Sequence, residues 1–416
     1  MRTTGLLLSA ALASAACNSA RSDADTTANP QPGGDEFDDD VHIDCDDLGE
    51  DPTCPDYDPK EPDPGEVEPT CDVEFPTLEP VWLVEEPSPV VGGVPTAVDM
   101  VANEEALFVA NRHDASKSSH GTGSVERRTL EGELVWAVET QPDPASIAWD
   151  GQHLYAAVGD RLRRWDADGV EDEWVHQAHG EIHDIAVNDE TVALTGSYWV
   201  GGVHDSHMEA FYGQVTKTMP TEYLGYTVPT ELVNDVGEAV GVNPWGGWIV
   251  GGSTRDTVDY HGWMLGYGGY RFTATMRTHD AVHVEAIFPG DDVVYVVAWS
   301  NDAPAGRWLT AFDVDGNELS SHDLWVCPGV GGAFDSPSLV GDELVGTATS
   351  KNSARELPPL IAKFGLDGTN HGVWEVWLDG EYLSLQTLAV VGERVFAGGY
   401  HYADAQTTRV VMEVQP

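Results

Sequence analysis

From about residue 80 onward, short apolar runs separated by polar turns dominate the chain, and amphipathic helical periodicity is scarce. The stretches NEEALFVANR, DGQHLYAAVGD, NDETVALTGS, PWGGWIVGGS, GDDVVYVVAWS, GDELVGTATS and GERVFAGGY each set a polar turn before a brief apolar segment. Segments of that length bounded by Gly, Asp and Asn are strand signals. Their central residues, Phe108, Tyr155, Leu194, Ile249, Tyr295, Val345 and Phe396, recur at about 40–55 residues. A shorter run precedes each, as in SIAWD, DIAVN, VEAIF and TLAVV. A further strand with a tight turn follows, as in RRTLEGE, RRWDADG, LTAFDVDGN and AKFGLDG. An acidic residue next to Gly between strands marks a hairpin, because Gly accepts the positive φ that the turn requires.

Four short strands per unit at this spacing describe one blade of a β-propeller. A β-sandwich would not repeat seven times with one internal order, and a β-solenoid would use shorter units. The predicted fold is therefore all-β, a seven-bladed β-propeller over residues 80–416. Its closure is readable at the two ends. The last unit runs through TTRVVMEVQP to Pro416 without a fourth strand. PVWLVEE, near residue 80, matches the fourth strand LVWAVET of the first unit and has no blade of its own. Residues 80–86 are predicted to complete the last blade, which leaves no long open edge.

The turn LEGELVW ends on Trp136, and this acidic-Gly turn with a docking Trp resembles the seven-bladed quinoprotein-like propellers of secreted and lipid-anchored bacterial proteins. With the blade spacing, the resemblance covers most of residues 80–416. DGVEDEW and DGNELSSHDLW vary the distance from turn to Trp. The resemblance carries no catalytic residue across, and no quinone cofactor is predicted.

The chain before the propeller reads differently. MRTTGLLLSAALASAAC has one Arg, a short apolar run and small residues, the pattern of a secretory signal over residues 1–16. Its apolar run is too short to span a bilayer. LASAAC resembles the lipobox of bacterial lipoproteins, with Ser14 where Leu is usual, so cleavage before Cys17 would leave a lipid anchor there. The competing ending is A-x-A cleavage guided by Ala13 and Ala15. The lipid anchor is favoured because residues 17–79 follow as a polar spacer. From Cys17 to Pro80 there are 21 acidic residues and two basic ones. Such a segment cannot bury enough surface to offset its ordering entropy and is expected to be a disordered, self-repelling tether. The expected location is extracytoplasmic: an outer-membrane or cell-surface lipoprotein, or a secreted protein, meeting a membrane only through Cys17. Cys45, Cys54, Cys71 and Cys327 remain as disulfide candidates in an oxidising compartment, with three pairings open.

The formal net charge of −51 narrows the partners further. A field of that sign repels nucleic-acid phosphates and anionic lipid, and leaves cations, cationic partners and neutral ligands.

In a propeller, loops joining second and third strands share one face with the blade-to-blade connections, and ligands gather there. Eleven of the fifteen histidines sort to that face, His113 and His401 among them. HQAHGEIHD supplies His176, His179, His183 and Asp184; HDSHM supplies His204 and His207; HDAVHVE supplies His279, His283 and Glu285. Imidazoles and carboxylates converging from loops suit a divalent cation or acid–base chemistry. The candidate metal ligands are His176, His179, His183, Asp184 and Glu285, although no spacing matches a zinc signature. Aligning the inner strands places Asp99, Asp184, Asp235 and Glu285, with Ser146, Ser336 and Thr387, around the channel mouth. Trp199 and Trp299, with His204, His207, His279 and His283, form the candidate ligand face. The leading functional reading is a binding or scaffold module for a peptide, glycan or protein partner, with or without a divalent cation. The alternative is a metal-assisted hydrolase or lyase on the same face, whose metal would activate water. The two differ in whether these groups converge on one point.

Overall fold

The computed structural model describes residues 74–416 apart from 91–92, 115–120, 201–206, 220–222, 228–233, 256–259, 268–272, 276–282, 301–305, 327–331, 353–354, 357–358, 379–381 and 404–405. Thr96–Ala102, Leu107–Arg112, Gly123–Arg128 and Leu134–Thr140 form the antiparallel sheet of blade 1, ordered from inside outward. The same order recurs six more times. The inner strands of blades 2 to 7 are Pro144–Trp149, Glu181–Val187, Asn234–Val242, His283–Pro289, Gly332–Val340 and Tyr382–Val391. Each inner strand packs against the next, and the seventh returns to the first. Blades 3 and 4 are also joined by one parallel contact, Met208 opposite Asn234.

Burial follows position in the blade. The inner strand of blade 1 is buried almost throughout, whereas the outer strand Leu134–Thr140 alternates toward solvent. An inner strand is covered on both faces by neighbouring blades and so reads as a continuous apolar run. The apolar core is divided accordingly. Among the described residues there are seven buried clusters, one at each seam between consecutive blades. In the first seam, Phe108 of blade 1 stacks on Trp149 of blade 2 with ring centroids 4.6 Å apart.

Trp82–Pro87 pairs antiparallel with Gln406–Val414, Trp82 opposite Glu413 and Pro87 opposite Thr408, and is the outer strand of blade 7. Trp82 and Trp136 occupy matching places. Trp136 Nε1 donates to Ala167 O at 2.9 Å, and its ring covers Gly169, where an added Cβ would lie 2.7 Å from the ring. Trp82 Nε1 donates to Leu130 O at 2.9 Å and covers Gly132 in the same way. Both glycines have positive φ, +81° and +89°. Both of these tryptophans therefore dock on the third-to-fourth-strand turn of the next blade. Trp174 of blade 2 reaches blade 3 similarly, its Nε1 3.3 Å from Thr216 O.

Order extends further toward the N-terminus than the predicted start at residue 80. Thr77–Leu78 runs parallel to the outer strand of blade 6, Asn370–Val376, with Thr77 opposite Glu375. Phe75 packs into the seam of blades 5 and 6, and Leu78 into that of blades 6 and 7. A two-residue strand has too few positions to show alternation, so the sequence pattern does not reveal it.

Candidate functional site

Each inner strand carries one register irregularity at corresponding places: between Ala97 and Asp99, Pro144 and Ser146, Ile182 and Asp184, Gly237 and Ala239, Val284 and Ala286, Asp335 and Ser338, and Leu385 and Thr387. A bulge leaves a residue outside the ladder and re-aims nearby side chains. Here the polar residues in and just after the bulge link one blade to the next. Asp99 accepts from Met100 N and from Ile147 N of blade 2, both at 2.7 Å. Ser146 donates to Asp184 at 2.9 Å; Asp184 also accepts from Ile185 N and from Val240 N of blade 4, both at 2.8 Å. Glu238 accepts from Val284 N of blade 5 at 2.8 Å, and Glu285 from Ser336 N of blade 6 at 2.9 Å. Ser336 Oγ donates to Gln386 O of blade 7 at 2.6 Å.

The predicted channel-mouth ring is corrected by this register. Asp99 and Asp184 do follow the bulge, but Glu285 sits within it. Asp235 lies four residues before Ala239 and accepts from Thr254 Oγ1 at 2.5 Å. An alignment of apolar runs does not see the inserted residue, which displaces side chains from the expected position. Glu238, the bulge residue of blade 4, was missed for the same reason. Burial pushes the Asp99 carboxyl well above the usual range and Asp184 up to about 7. Burial also raises Glu285 to about 8, against the opposing attraction of Arg307.

The predicted metal ligands are not gathered. His176 is buried on the outer strand of blade 2, and His179 lies in the connection to blade 3. His183 is the bulge residue of blade 3, with Nδ1 2.9 Å from Gly237 O and Nε2 3.3 Å from Ser197 Oγ. Asp184 already accepts three donors, and Glu285 belongs to blade 5, 3.1 Å from Arg307 Nε. Among the described residues, no three of His, Cys, Asp and Glu are placed to hold a metal ion. The polar groups that the pattern singled out are used largely in joining blades.

Two other predicted residues do come together. His283 lies opposite Trp299, and Trp299 opposite Arg307, across three adjacent strands of blade 5. Directly opposed side chains share one face of a sheet. His283 stacks on Trp299 at 4.2 Å and 17°, and the Arg307 guanidinium lies over the same ring at 4.8 Å. Carboxylates flank both ends. His283 Nδ1 is 2.6 Å from Glu238, which also accepts from Ser253 Oγ at 2.8 Å, while Arg307 pairs with Asp335 and Glu285. Arg307 was readable only through strand pairing, since it opens GRWLTAF directly opposite Trp299.

Blade 3 supplies the most exposed aromatic of the predicted ligand face. Its second and third strands, Thr191–Val200 and His207–Thr216, are ten residues each, whereas the inner strand begins at Glu181, level with Ser197. The hairpin therefore extends past the inner strand. Trp199 on that extension is 66% exposed and lies opposite Met208. Tyr198 and His207 both hydrogen-bond to Glu209. His204, His279, Cys17, Cys45, Cys54, Cys71 and Cys327 lie outside the described residues.

No protein-family model matches the sequence, and a search of curated proteins finds no relative. A comparison with solved structures finds distant likenesses. BamB from Moraxella catarrhalis is 10% identical, aligns over 81% of this chain and 100% of its own, and superposes with a TM-score of 0.43. The β-propeller domain of the trilobed protease from Pyrococcus furiosus, described as having an open velcro topology, is 8% identical over 77% of this chain and 97% of its own, with a TM-score of 0.49. With TM-scores below 0.5 these likenesses carry no argument, and the sheet order of the chain itself defines the fold. The chain is a seven-bladed β-propeller.

Proposed function

We propose that this propeller is an extracytoplasmic binding module that docks a protein partner on the face bearing its blade-to-blade connections. The observation that carries the reading is Trp199, two-thirds exposed on a hairpin that outruns its blade. A large aromatic held in water contributes little to folding, while Trp is among the residues that dominate the energy of protein interfaces. Met208 shares the Trp199 face of the hairpin, while Tyr198, His207 and Glu209 form a hydrogen-bonded group on the other face of the same extension. Among the described residues, His183, Asp184 and Glu285 join one blade to the next, which leaves the extended hairpin as the feature on which the reading rests. The acidic segment 17–73 is the spacer in this proposal, and lipidated Cys17 the anchor that holds the propeller at the envelope.

A photo-crosslinking amino acid at position 199 tests the docking face, with the exposed Val170 on the opposite turn of blade 2 as control. Adducts to a defined protein at 199 and not at 170 are expected. Equal labelling at both positions, or adducts to glycan alone, would overturn the protein-docking assignment. Incorporation of labelled palmitate, lost in Cys17→Ser, is expected for the anchor; unchanged labelling would refute it.

A further inference from the structure

A cavity of about 160 Å³ lies at the seam where the ring closes, between the N-terminal strand, blade 7 and blade 1. Its charged wall is a buried network. Arg409 of blade 7 pairs with Glu86 of the closing strand and, at 2.8 Å, with Glu126 of blade 1. Arg128, whose side chain is 2% exposed, donates to the same two carboxylates, both at 2.8 Å. Two arginines thus balance Glu86 and Glu126, and neither guanidinium is left over for an anion.

Glu139 is the surplus charge. It lines the cavity with its side chain 75% exposed at the rim, and its partner is His113 Nδ1 at 3.6 Å; among the described residues no Arg or Lys pairs with it. Pro87, Pro89 and Pro95 supply rigid apolar walls. Ser124 lines the same space and accepts from Asn111 Nδ2 at 3.2 Å. One buried polar atom beside this lining, Oδ1 of the Asn111 that bonds Ser124, has no hydrogen-bond partner among the described residues. Such groups normally find one.

Size and chemistry select the ligand. The volume holds about five water molecules. An unbranched chain of four methylenes ending in nitrogen has a similar number of heavy atoms. Apolar walls suit its stem, and a carboxylate with hydroxyl and amide acceptors suits a cationic head. An anion would meet three carboxylates, and a neutral apolar group would leave Glu139 and Asn111 Oδ1 as they are.

We propose that the seam cavity receives a primary alkylammonium group, from either a free amine or the lysine side chain of a partner. The proposal stands apart from the Trp199 surface and is read with small ligands alone. Calorimetric titration of the full chain uses n-butylammonium, a blocked Gly-Lys-Gly peptide, and the same peptide acetylated on the lysine nitrogen. Saturable one-site binding is expected for at least one of the two ammonium ligands and not for the acetylated peptide. Glu139→Gln is expected to weaken it by about fivefold, the effect of removing an exposed ion pair. Glu104→Gln changes net charge equally at an exposed turn far along the blade and is expected to leave affinity unchanged. Binding of butylammonium but not the lysine peptide assigns the site to free amines; binding of both assigns it to a protein lysine as well. The proposal is overturned if neither ammonium ligand saturates, if the acetylated peptide binds as well, or if the two Gln variants behave alike.

Discussion

Asp184 joins three blades through one side chain, accepting from Ser146, Ile185 N and Val240 N with no exposure to solvent. Asp184→Ala would leave two backbone N–H groups and a hydroxyl unpaired, and the expected loss is about 2–4 kcal/mol by denaturant unfolding. Its protonation sets a pH dependence. Burial raises Asp184 to about 7 and Glu285 to about 8, with Asp99 and Glu126 raised in the same direction. Between the ordinary carboxylate value of about 4 and these raised values, the native state holds protons that the unfolded chain has released. Stability therefore falls as pH rises from about 4 to about 8 and levels off above. Asp150 and Glu343, whose partners Lys217 and Lys363 help to lower them, contribute with the opposite sign only below about pH 4–5, outside that window. The denaturant midpoint is expected to drop from pH 5 to pH 8, with a shallower slope in Asp184→Asn. A midpoint that rises over this range would contradict the assignment.

At the scale of the element, the closing strand and the outer-strand tryptophans repay the same comparison. The likeness of PVWLVEE to LVWAVET has a geometric cause, since Trp82 and Trp136 each cover a positive-φ glycine in the next blade. Gly169→Ala would combine backbone strain with a Cβ placed against the Trp136 ring, and a loss of about 1–3 kcal/mol is expected. The closing strand is held by charge as well as by its ladder: His401 pairs with Glu85 at 2.7 Å, and Arg409 with Glu86 and Glu126. Arg409→Met would leave Arg128 alone to balance Glu86 and Glu126, with one carboxylate charge of the seam uncompensated, and destabilisation by about 3–5 kcal/mol is expected. A chain beginning at residue 79 is expected to melt cooperatively, and one beginning at residue 88 to lose that cooperativity in circular dichroism. Blade spacing was legible because alternating apolar runs and acidic-Gly turns are local signals. The bulges were not, since one inserted residue changes register without changing residue type, and so Glu238 escaped notice; Arg307 needed the strand pairing that sets it opposite Trp299.

For the whole molecule, a net charge of −51 implies self-repulsion that salt relieves. The melting temperature at neutral pH is expected to rise between 0.05 and 1 M NaCl; a fall would show that the buried ion network at the closing seam outweighs surface repulsion. The sequence by itself determined the repeat, the number of blades and the strand left over for the last one. Those properties depend on side-chain period and turn chemistry, which neighbouring residues carry. Only the tertiary structure decided which polar residues meet. His183, Asp184 and Glu285 looked like ligands because their residue types can bind metal. In the ring they are the groups that satisfy the neighbouring blade's backbone and side chains, because a bulge on every inner strand turns them across the seam. The cavity beside Arg409 arises likewise from residues more than three hundred positions apart, brought together when the two ends of the chain share a blade.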